Sequence, residues 1–230
     1  MKLLAIDTSS NACSVAVQVE SDIIAKHVVE PRAHTKILLP MITAVLNEAN
    51  VTVAELDAVV LGNGPGSFIG MRIGASVAQG LAYGAGINIV PISSLAAVAA
   101  ETTATHAADK VLVAQDARMH EIYLGRYQAG TDGLPIAEVG EQICKVGELA
   151  DLETNYVAAG AGWQKYPQLA EMNKQCISVL SDLDHPRAEY LLPLGVKAYQ
   201  NGQIVAPEAL VPAYLRMKVA EVPTSANLIQ

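Results

Sequence analysis

The sequence predicts an α/β protein whose two halves share one order of elements. In each half an apolar strand ends on an aspartate, Asp7 or Asp116, and an alternating strand follows the turn. Each half later has a second apolar strand that leads into glycines, at 56–64 and at 156–162. Apolar strands bounded by turn residues and joined by helical segments are typical of α/β folds. We therefore predict a duplicated unit of β-meander and helices.

In the first half, a three-stranded meander precedes alternating helices and strands. Residues 34–50 carry apolar side chains at three- and four-residue spacing, which predicts an amphipathic helix. Thr52 and Glu55 have the spacing of a capping box, and Ser93 or Ser94 suits the N-cap of an alanine-rich helix. The predicted strands are 2–6, 12–20, 23–29, 56–61 and 89–92, and the predicted helices are 34–50, a short one after 52, 68–83 and one ending near 105.

The second half follows a polar stretch, 105–110, that has the character of a domain boundary. We expect domains at 1–106 and 107–216. Prolines and small polar residues predict a poorly ordered tail at 217–230. The predicted elements of the second half are strands at 111–116, 121–127 and 156–159 and a helix near 187–201.

The composition limits the functions open to the chain. Half of the 230 residues are apolar and only 17% are charged, so the chain can bury a substantial core. The formal net charge is −8, and the fifteen Lys and Arg residues are scattered. Nucleic-acid binders need clustered Lys and Arg for their phosphate contacts. The composition therefore argues against independent binding to RNA.

Two features indicate the compartment. No apolar run reaches the roughly 18 residues of a membrane span, and the apolar start ends at Asp7, too early for a signal peptide. Cys13, Cys144 and Cys176 are far apart and form no CxxC pair, which argues against disulfides and a zinc site. We expect a cytoplasmic protein that does not bind a membrane.

The glycine-rich segment at the end of strand 56–61 is the sharpest local feature. Gly64, Gly66 and Ser67 precede a helix, where backbone N–H groups can approach a phosphate. The segment is neither a Walker A loop nor a GxGxxG fingerprint. A tight turn followed by close helix packing explains the same pattern. The pattern therefore leaves two readings open, a structural turn and a vestigial nucleotide site at Asp7 and these three residues.

Asp7 and Asp116 occupy matching positions after their strands. An aspartate so placed can hold a hydrated Mg²⁺ against phosphates. It can also cap the adjoining turn through its side chain. Because no phosphate-binding loop stands beside Asp7, capping is the favoured role.

The sequence contains no convincing catalytic or metal-binding constellation. His34 lacks a second histidine one turn later, where Leu38 stands. Cys13 lies in an alternating strand, which predicts an inert core thiol. Ser67 lacks the GxSxG arrangement of a nucleophile elbow. We expect no catalytic residue, no bound metal and no cofactor of its own.

Motifs spread in order over nearly the whole chain resemble the TsaB/YeaZ family. The strongest is GPGSFIGMRIG at 64–74, which continues to 82. One departure is Ile69, where the family usually has Thr, so a hydroxyl at the helix start is lost and phosphate binding is less well supported. The other matching segments are 4–9, 12–16, 32–35, 39–40, 116–118, 160–163 and 212–216.

The resemblance implies an actin-like ATPase (ASKHA) fold with two ribonuclease-H-like halves of mixed sheets flanked by helices. It also implies a part in transferring threonylcarbamoyl to N6 of adenosine 37 in tRNAs that read codons beginning with A. Family members are understood to scaffold and activate a catalytic paralogue, TsaD, alongside the ATPase TsaE. ATP, Mg²⁺ and a metal ion would then belong to the partner subunits, and tRNA would be reached only through the complex.

Helices 34–50 and 68–83 are the candidates for contact with TsaD or, in its absence, with a second copy of the chain. Small residues on the second helix permit close approach of another helix, although they could instead pack on the chain's own sheet. The predicted interface residues are His34, Leu38, Met41, Val45, Gly70, Met71, Gly74, Ala75 and Ala78.

Two other functions stay open at this stage. A peptidase related to glycoproteases would need a metal pair or an activated nucleophile. A stand-alone actin-like ATPase would use Asp7 and the glycine-rich loop. Cleavage that a point mutation abolishes would favour the peptidase, and tight binding of Mg·ATP would favour the ATPase.

Overall fold

The computed structural model describes residues 1–150 and 152–216, and the predicted tail at 217–230 lies outside them. The described residues form two mixed sheets with helices against them. The strands are β1 (Lys2–Asp7), β2 (Ala12–Val19), β3 (Asp22–Val29), β4 (Ala58–Gly62), β5 (Asn88–Ile92), β6 (Lys110–Arg118), β7 (Glu121–Ala129), β8 (Pro135–Ala137), β9 (Gln142–Lys145), β10 (Tyr156–Ala159) and β11 (Ile177–Leu180). The helices are α1 (His34–Glu48), α2 (Phe68–Ala85), α3 (Ser94–His106), α4 (Ala161–Lys165), α5 (Pro167–Met172) and α6 (Ala188–Gln200).

The two sheets repeat one topology. The first has the order β3-β2-β1-β4-β5, and the second has the order β8-β7-β6-β10-β11, with β9 also pairing β7. In the first sheet β1 runs antiparallel to β2 and parallel to β4. In the second, β6 runs antiparallel to β7 and parallel to β10. The duplication predicted from the two strand-aspartate patterns is confirmed.

Side-chain caps begin two of the helices. The hydroxyl of Ser93 accepts hydrogen bonds from the N–H groups of Leu95 and Ala96, each at 3.1 Å, and thereby starts α3. The Ser67 hydroxyl accepts from the Gly70 N–H at the start of α2. The capping box of Thr52 is present, but it starts a single turn of 3-10 helix at Val53–Glu55.

The halves exchange helices. Leu95 and Val98 of α3, which follows the first sheet in the chain, pack in a core cluster with Val113 of the second sheet. Leu191 of α6, which follows the second sheet, packs with Leu3 of the first sheet. A cut at the predicted 106/107 boundary would therefore separate the sheets but strip each of a helix that covers it.

Some elements were not predicted. The strands β8, β9 and β11 and the helices α4 and α5 are each six residues or shorter, too short for a periodic pattern to show. No helix of the described second half corresponds to α1, since the chain reaches β10 without one. Across the described ranges, no helix is long and apolar enough to span a bilayer.

Candidate functional site

A cleft of about 430 Å³ lies between the two halves. Its first wall contains the β1–β2 turn, at Ser9, and the start of α2, at Ser67 and Phe68. Its second wall contains the end of β6, at Asp116, and Arg118 beyond it. The matching turns of the two halves therefore face one another across this space.

Asp7 does not line the cleft, because its carboxylate is buried at the end of β1. Its Oδ1 accepts hydrogen bonds from the backbone N–H and the hydroxyl of Ser9, both at 2.8 Å. Its Oδ2 accepts from the Ser94 hydroxyl at 2.6 Å. A methyl group added to Gly62 would lie 1.9 Å from the same oxygen. Asp7 thus caps its turn and ties β1 to α3, as the favoured reading predicts.

Burial raises the pKa of Asp7 to about 6, and the hydrogen bonds from Ser94 and Ser9 lower it in part. Because the folded state binds this proton more tightly than the unfolded state, the contribution of Asp7 to stability is greatest below pH 4. That contribution falls as the pH rises to about 6. This carboxylate is therefore a structural group and is not exposed to a cleft ligand.

The glycine-rich segment packs against the turn that follows β1. A methyl group on Gly70 would lie 2.0 Å from the carbonyl oxygen of Thr8, and one on Gly66 would lie 2.2 Å from that of Ser9. The Ser67 N–H donates to the Ser9 carbonyl at 2.6 Å, and the Gly64 N–H donates to the Ser94 hydroxyl at 3.1 Å. The N–H groups of Gly64 and Ser67 in the loop, and of Gly70 in the first turn of α2, are therefore bound within the chain, which supports the structural reading of this segment.

Asp116 is arranged differently from Asp7. It lies at the cleft surface, where its carboxylate accepts hydrogen bonds from the Tyr166 hydroxyl at 2.9 Å and the Arg118 N–H at 2.8 Å. The Arg118 guanidinium forms an ion pair with it at 3.1 Å. The second aspartate thus also caps its turn, but unlike Asp7 it lines the cleft.

A second depression, an apolar groove of about 390 Å³, runs between α1 and α2. Leu39 of α1 is 53% exposed and Ile69 of α2 is 71% exposed on its rim. We call this depression the two-helix groove. Its lining consists of His34, Thr35, Leu38, Leu39, Ile69, Arg72, Ile73, Ser76 and Val77.

The residues predicted for the partner interface differ in how they are placed relative to the surface. Only His34 and Leu38 of that set line the two-helix groove, and both are themselves largely buried. The others are buried: Met41 and Val45 of α1 pack in the core of the first half, the small residues of α2 let it approach β1 and β4 closely, and Met71 lines the cleft. The buried members of the predicted set are Met41, Val45, Gly70, Met71, Gly74, Ala75 and Ala78. The exposed side chains at the groove are instead those of Leu39, Ile69 and Arg72.

The other candidate residues have structural environments. His34 Nε2 lies 3.1 Å from the Ala12 carbonyl oxygen, so this histidine joins α1 to β2. Burial raises the pKa of the Cys13 thiol to about 12, which agrees with the predicted inert core cysteine. Among residues 1–150 and 152–216, no three His, Cys, Asp or Glu side chains are grouped to hold a metal ion.

Two residues that line the cleft, and a third that contacts its wall, were not predicted from the sequence. Tyr214 packs its ring 5.7 Å from that of Phe68, and Arg216 pairs with Glu121. Tyr166 bonds to Asp116 across a separation of 50 residues. Tyr214 and Arg216 lie in the segment 212–216, which resembles the family, but that resemblance does not indicate which residues they contact.

The sequence of the chain is similar to a family model and to curated proteins over most of its length. Residues 27–224 match the model of the family described as TsaD, tRNA N6-adenosine threonylcarbamoyltransferase. The chain is 38% identical over 226 residues to the tRNA threonylcarbamoyladenosine biosynthesis protein TsaB of Escherichia coli, with 96% of each chain covered. It is 35% identical to the protein of that name from Haemophilus influenzae, with 95% of each covered.

Solved structures show the same fold. YeaZ from Pseudomonas aeruginosa superposes with a TM-score of 0.85 at 35% identity, covering 93% of this chain and all of that one. A second Pseudomonas aeruginosa structure, of a protein described as similar to the peptidase YeaZ, gives a TM-score of 0.87 at 36% identity. It covers 94% of this chain and 99% of that one.

The fold and the cleft define the class. This is an actin-like (ASKHA) protein of two ribonuclease-H-like halves, in which the loop expected to face a phosphate is packed on the chain's own first turn. Within that class, the chain belongs to the TsaB/YeaZ family.

Proposed function

We propose that this chain is a non-catalytic subunit that binds and activates a TsaD-type transferase. In this role it supports the transfer of threonylcarbamoyl to N6 of adenosine 37 in tRNAs that read codons beginning with A. The two-helix groove carries the proposal, because Leu39 and Ile69 expose aliphatic surface on its rim. Exposed apolar patches rimmed by polar residues mark sites of protein association.

The chemistry of the described residues supports the division of labour. Ser67 accepts from the Gly70 N–H as a helix cap, and Asp7 is buried under three hydrogen bonds. Neither group is free to activate a nucleophile or to hold Mg·ATP. We therefore assign ATP, Mg²⁺ and the metal ion to the partner subunits, with TsaE as the ATPase.

Charge and family membership support the rest of the assembly. The net charge of −8 makes direct tRNA binding by this chain unfavourable, so tRNA is held through the complex. In the absence of TsaD, the same groove can pair with a second copy of the chain. A cytoplasmic location is part of the proposal, and the relatives' names, which refer to tRNA threonylcarbamoyladenosine biosynthesis, support it.

The decisive experiment measures threonylcarbamoyl transfer to tRNA in a reconstituted mixture. The mixture contains TsaD, TsaE and the enzyme that makes the donor, threonylcarbamoyl-adenylate, from threonine, bicarbonate and ATP. Omitting this chain should abolish most of the modification. Ile69→Glu and Leu39→Glu should reduce both TsaD binding and modification at least tenfold, because each places a charge in an apolar contact.

Ile136→Glu is the matched control, because Ile136 is an exposed aliphatic residue of β8 in the other half. This variant should behave as wild type. Full modification without the chain would refute the proposed function. Equal losses in the Ile136 and Ile69 variants would refute the assignment of the groove.

A further inference from the structure

The last described segment of the chain crosses from one half to the other. Residues 211–216, which we call the clasp, have no helix or strand structure. Leu210, just before the clasp, packs in the core of the first half, and Leu215 packs against the core of the second. Ala213, Tyr214 and Arg216 line the cleft between them.

The first half holds the start of the clasp by hydrogen bonds and ring contacts. The Asn63 side chain donates to the Val211 carbonyl at 3.0 Å, and the Ala213 N–H donates to the Asn63 carbonyl at 3.1 Å. The Arg72 guanidinium lies 3.3 Å above the centroid of the Phe68 ring and 5.3 Å from that of Tyr214. A cation over an aromatic ring is attracted to the ring face, so Arg72 links Phe68 of α2 to Tyr214 of the clasp.

The second half holds the end of the clasp through one arginine. Arg216 donates to the Ala117 carbonyl at 2.9 Å and forms an ion pair with Glu121. Both side chains of the pair are largely shielded from solvent. A shielded, hydrogen-bonded pair is screened less than an exposed one, so its loss should be measurable.

We propose that the clasp holds the two halves together across the cleft and that Arg72 couples it to the two-helix groove. The halves also meet through α3 and α6, but neither helix contributes a residue to the described cleft lining. The clasp is therefore placed to set the width of the cleft, while the helix pair forms a separate connection between the halves.

The coupling follows from residues that belong to both depressions. Ile69 lines both the groove and the cleft. Arg72 lines the groove, and its guanidinium stacks on Phe68 and faces Tyr214, two residues of the cleft wall. A groove occupant that engages Arg72 withdraws the cation from these rings and weakens the hold on Tyr214.

Distances between spin labels test the clasp. Labels at Asn47→Cys in α1 and Lys174→Cys after α5 report on the two halves, with Cys144→Ser removing the partly exposed native thiol. The labelled chain is diluted with unlabelled chain to remove intermolecular distances. Arg216→Gln and Glu121→Gln should each shift the distance distribution to longer values, with an unchanged circular dichroism spectrum.

The control is Glu48→Gln, which breaks the Lys26 pair within the first half and should leave the distances unchanged. If the Arg216 and Glu121 variants keep the wild-type distribution, or if the Glu48 variant shifts equally, the clasp does not hold the halves. If either variant fails to fold, the milder substitutions Arg216→Lys and Glu121→Asp replace them. Each of these weakens the ion pair and must also shift the distance distribution to longer values.

Two groove variants test the coupling without any partner. Arg72→Gln should shift the distances as Arg216→Gln does, whereas Ser76→Ala, also in the groove, should not. Equal distance distributions in the Arg72→Gln and Ser76→Ala variants would contradict the coupling of the clasp to the groove through Arg72.

A final measurement rests on the proposed function. Added TsaD should shift the wild-type distances but not those of Arg72→Gln. If TsaD does not bind the wild-type chain, the proposed function is contradicted. If TsaD binds but the spin-label distances stay unchanged, only the coupling is contradicted.

Discussion

Single glycines decide how closely α2 approaches the first strand. Gly70 stands where any side chain would meet the Thr8 carbonyl oxygen, and the Thr8 hydroxyl donates to the Gly70 carbonyl at 2.7 Å. Gly74 lies one turn on and faces the Thr8 hydroxyl, 2.5 Å from where its Cβ would be. The two glycines therefore let the backbone of α2 lie directly against Thr8, which is the close helix packing that the sequence offered as an alternative to a phosphate loop.

Gly70→Ala should destabilise the fold by about 1–3 kcal/mol or more, because the backbone of either α2 or the β1–β2 turn must move. Gly80→Ala in the same helix is the control, since nothing lies within 4 Å of its added methyl group. That variant should gain about 0.5–1 kcal/mol from helix propensity. Urea unfolding measures both, and equal stability of the two variants would contradict this packing.

The roles of residues were predictable where their partners lie near in sequence. The Asp7 cap uses Ser9, two residues on, so the turn pattern indicated it. The Ser94 hydroxyl reaches Asp7 across 87 residues, and no local pattern could show that contact. The burial of most predicted interface residues could not be foreseen for a related reason, because periodicity shows that α2 has a face of small residues but not which neighbour covers it.

At the scale of elements, α3 and α6 meet between the halves. Glu101 of α3 is buried and pairs with Arg187, at the start of α6, at 3.2 Å. Burial raises the pKa of Glu101 to about 7, although Arg187 lowers it and Glu189 and Asp182 raise it. This ion pair therefore joins α3, which packs on the second sheet, to α6, which packs on the first.

Arg187→Ala should cost about 1–3 kcal/mol at pH 8, less than for a fully buried pair because Arg187 is half exposed. The loss of stability should be smaller at pH 5.5, because Glu101 is protonated there in the wild type and in the variant and no longer forms an ion pair. Adding Glu101→Gln should remove most of the loss at pH 8. Thermal unfolding at both pH values measures this, and a loss independent of pH would contradict the role of Glu101.

Long periodic elements were predictable and short ones were not. The helix expected at 34–50 is α1, and the one expected at 68–83 is α2, each within two residues. The second half departs further, since its sheet edge is built from three- and four-residue strands. Such strands are defined by pairing partners and not by their own pattern of side chains.

At the scale of the whole molecule, the topology could be anticipated but the exchange of helices could not. The order of elements repeats in the sequence, so the two sheets follow from it. Which sheet a helix covers depends on a crossing between halves that no local pattern records. The consequence is that a helix from the second half covers the first sheet, where Leu191 of α6 packs with Leu3 and Val60.

A fragment of residues 1–106 should therefore not fold by itself. It lacks α6 and Leu210, and it exposes the α3 residues that the second sheet normally covers. A fragment of residues 1–216 should fold as the full chain does. Amide NMR spectra distinguish the two, and a dispersed spectrum from the shorter fragment would contradict the interdependence of the halves.

The exchange also sets an order of events during synthesis. The face of the first sheet that carries Leu3 and Val60 is complete once β5 ends at Ile92, but its cover, α6, begins at Ala188. At about 5–20 residues per second, the ribosome takes roughly 5–20 s to deliver the intervening chain. Throughout that interval the first half lacks its cover and stays incompletely folded with apolar residues exposed, so the yield of the protein in the cell should depend on the supply of chaperones.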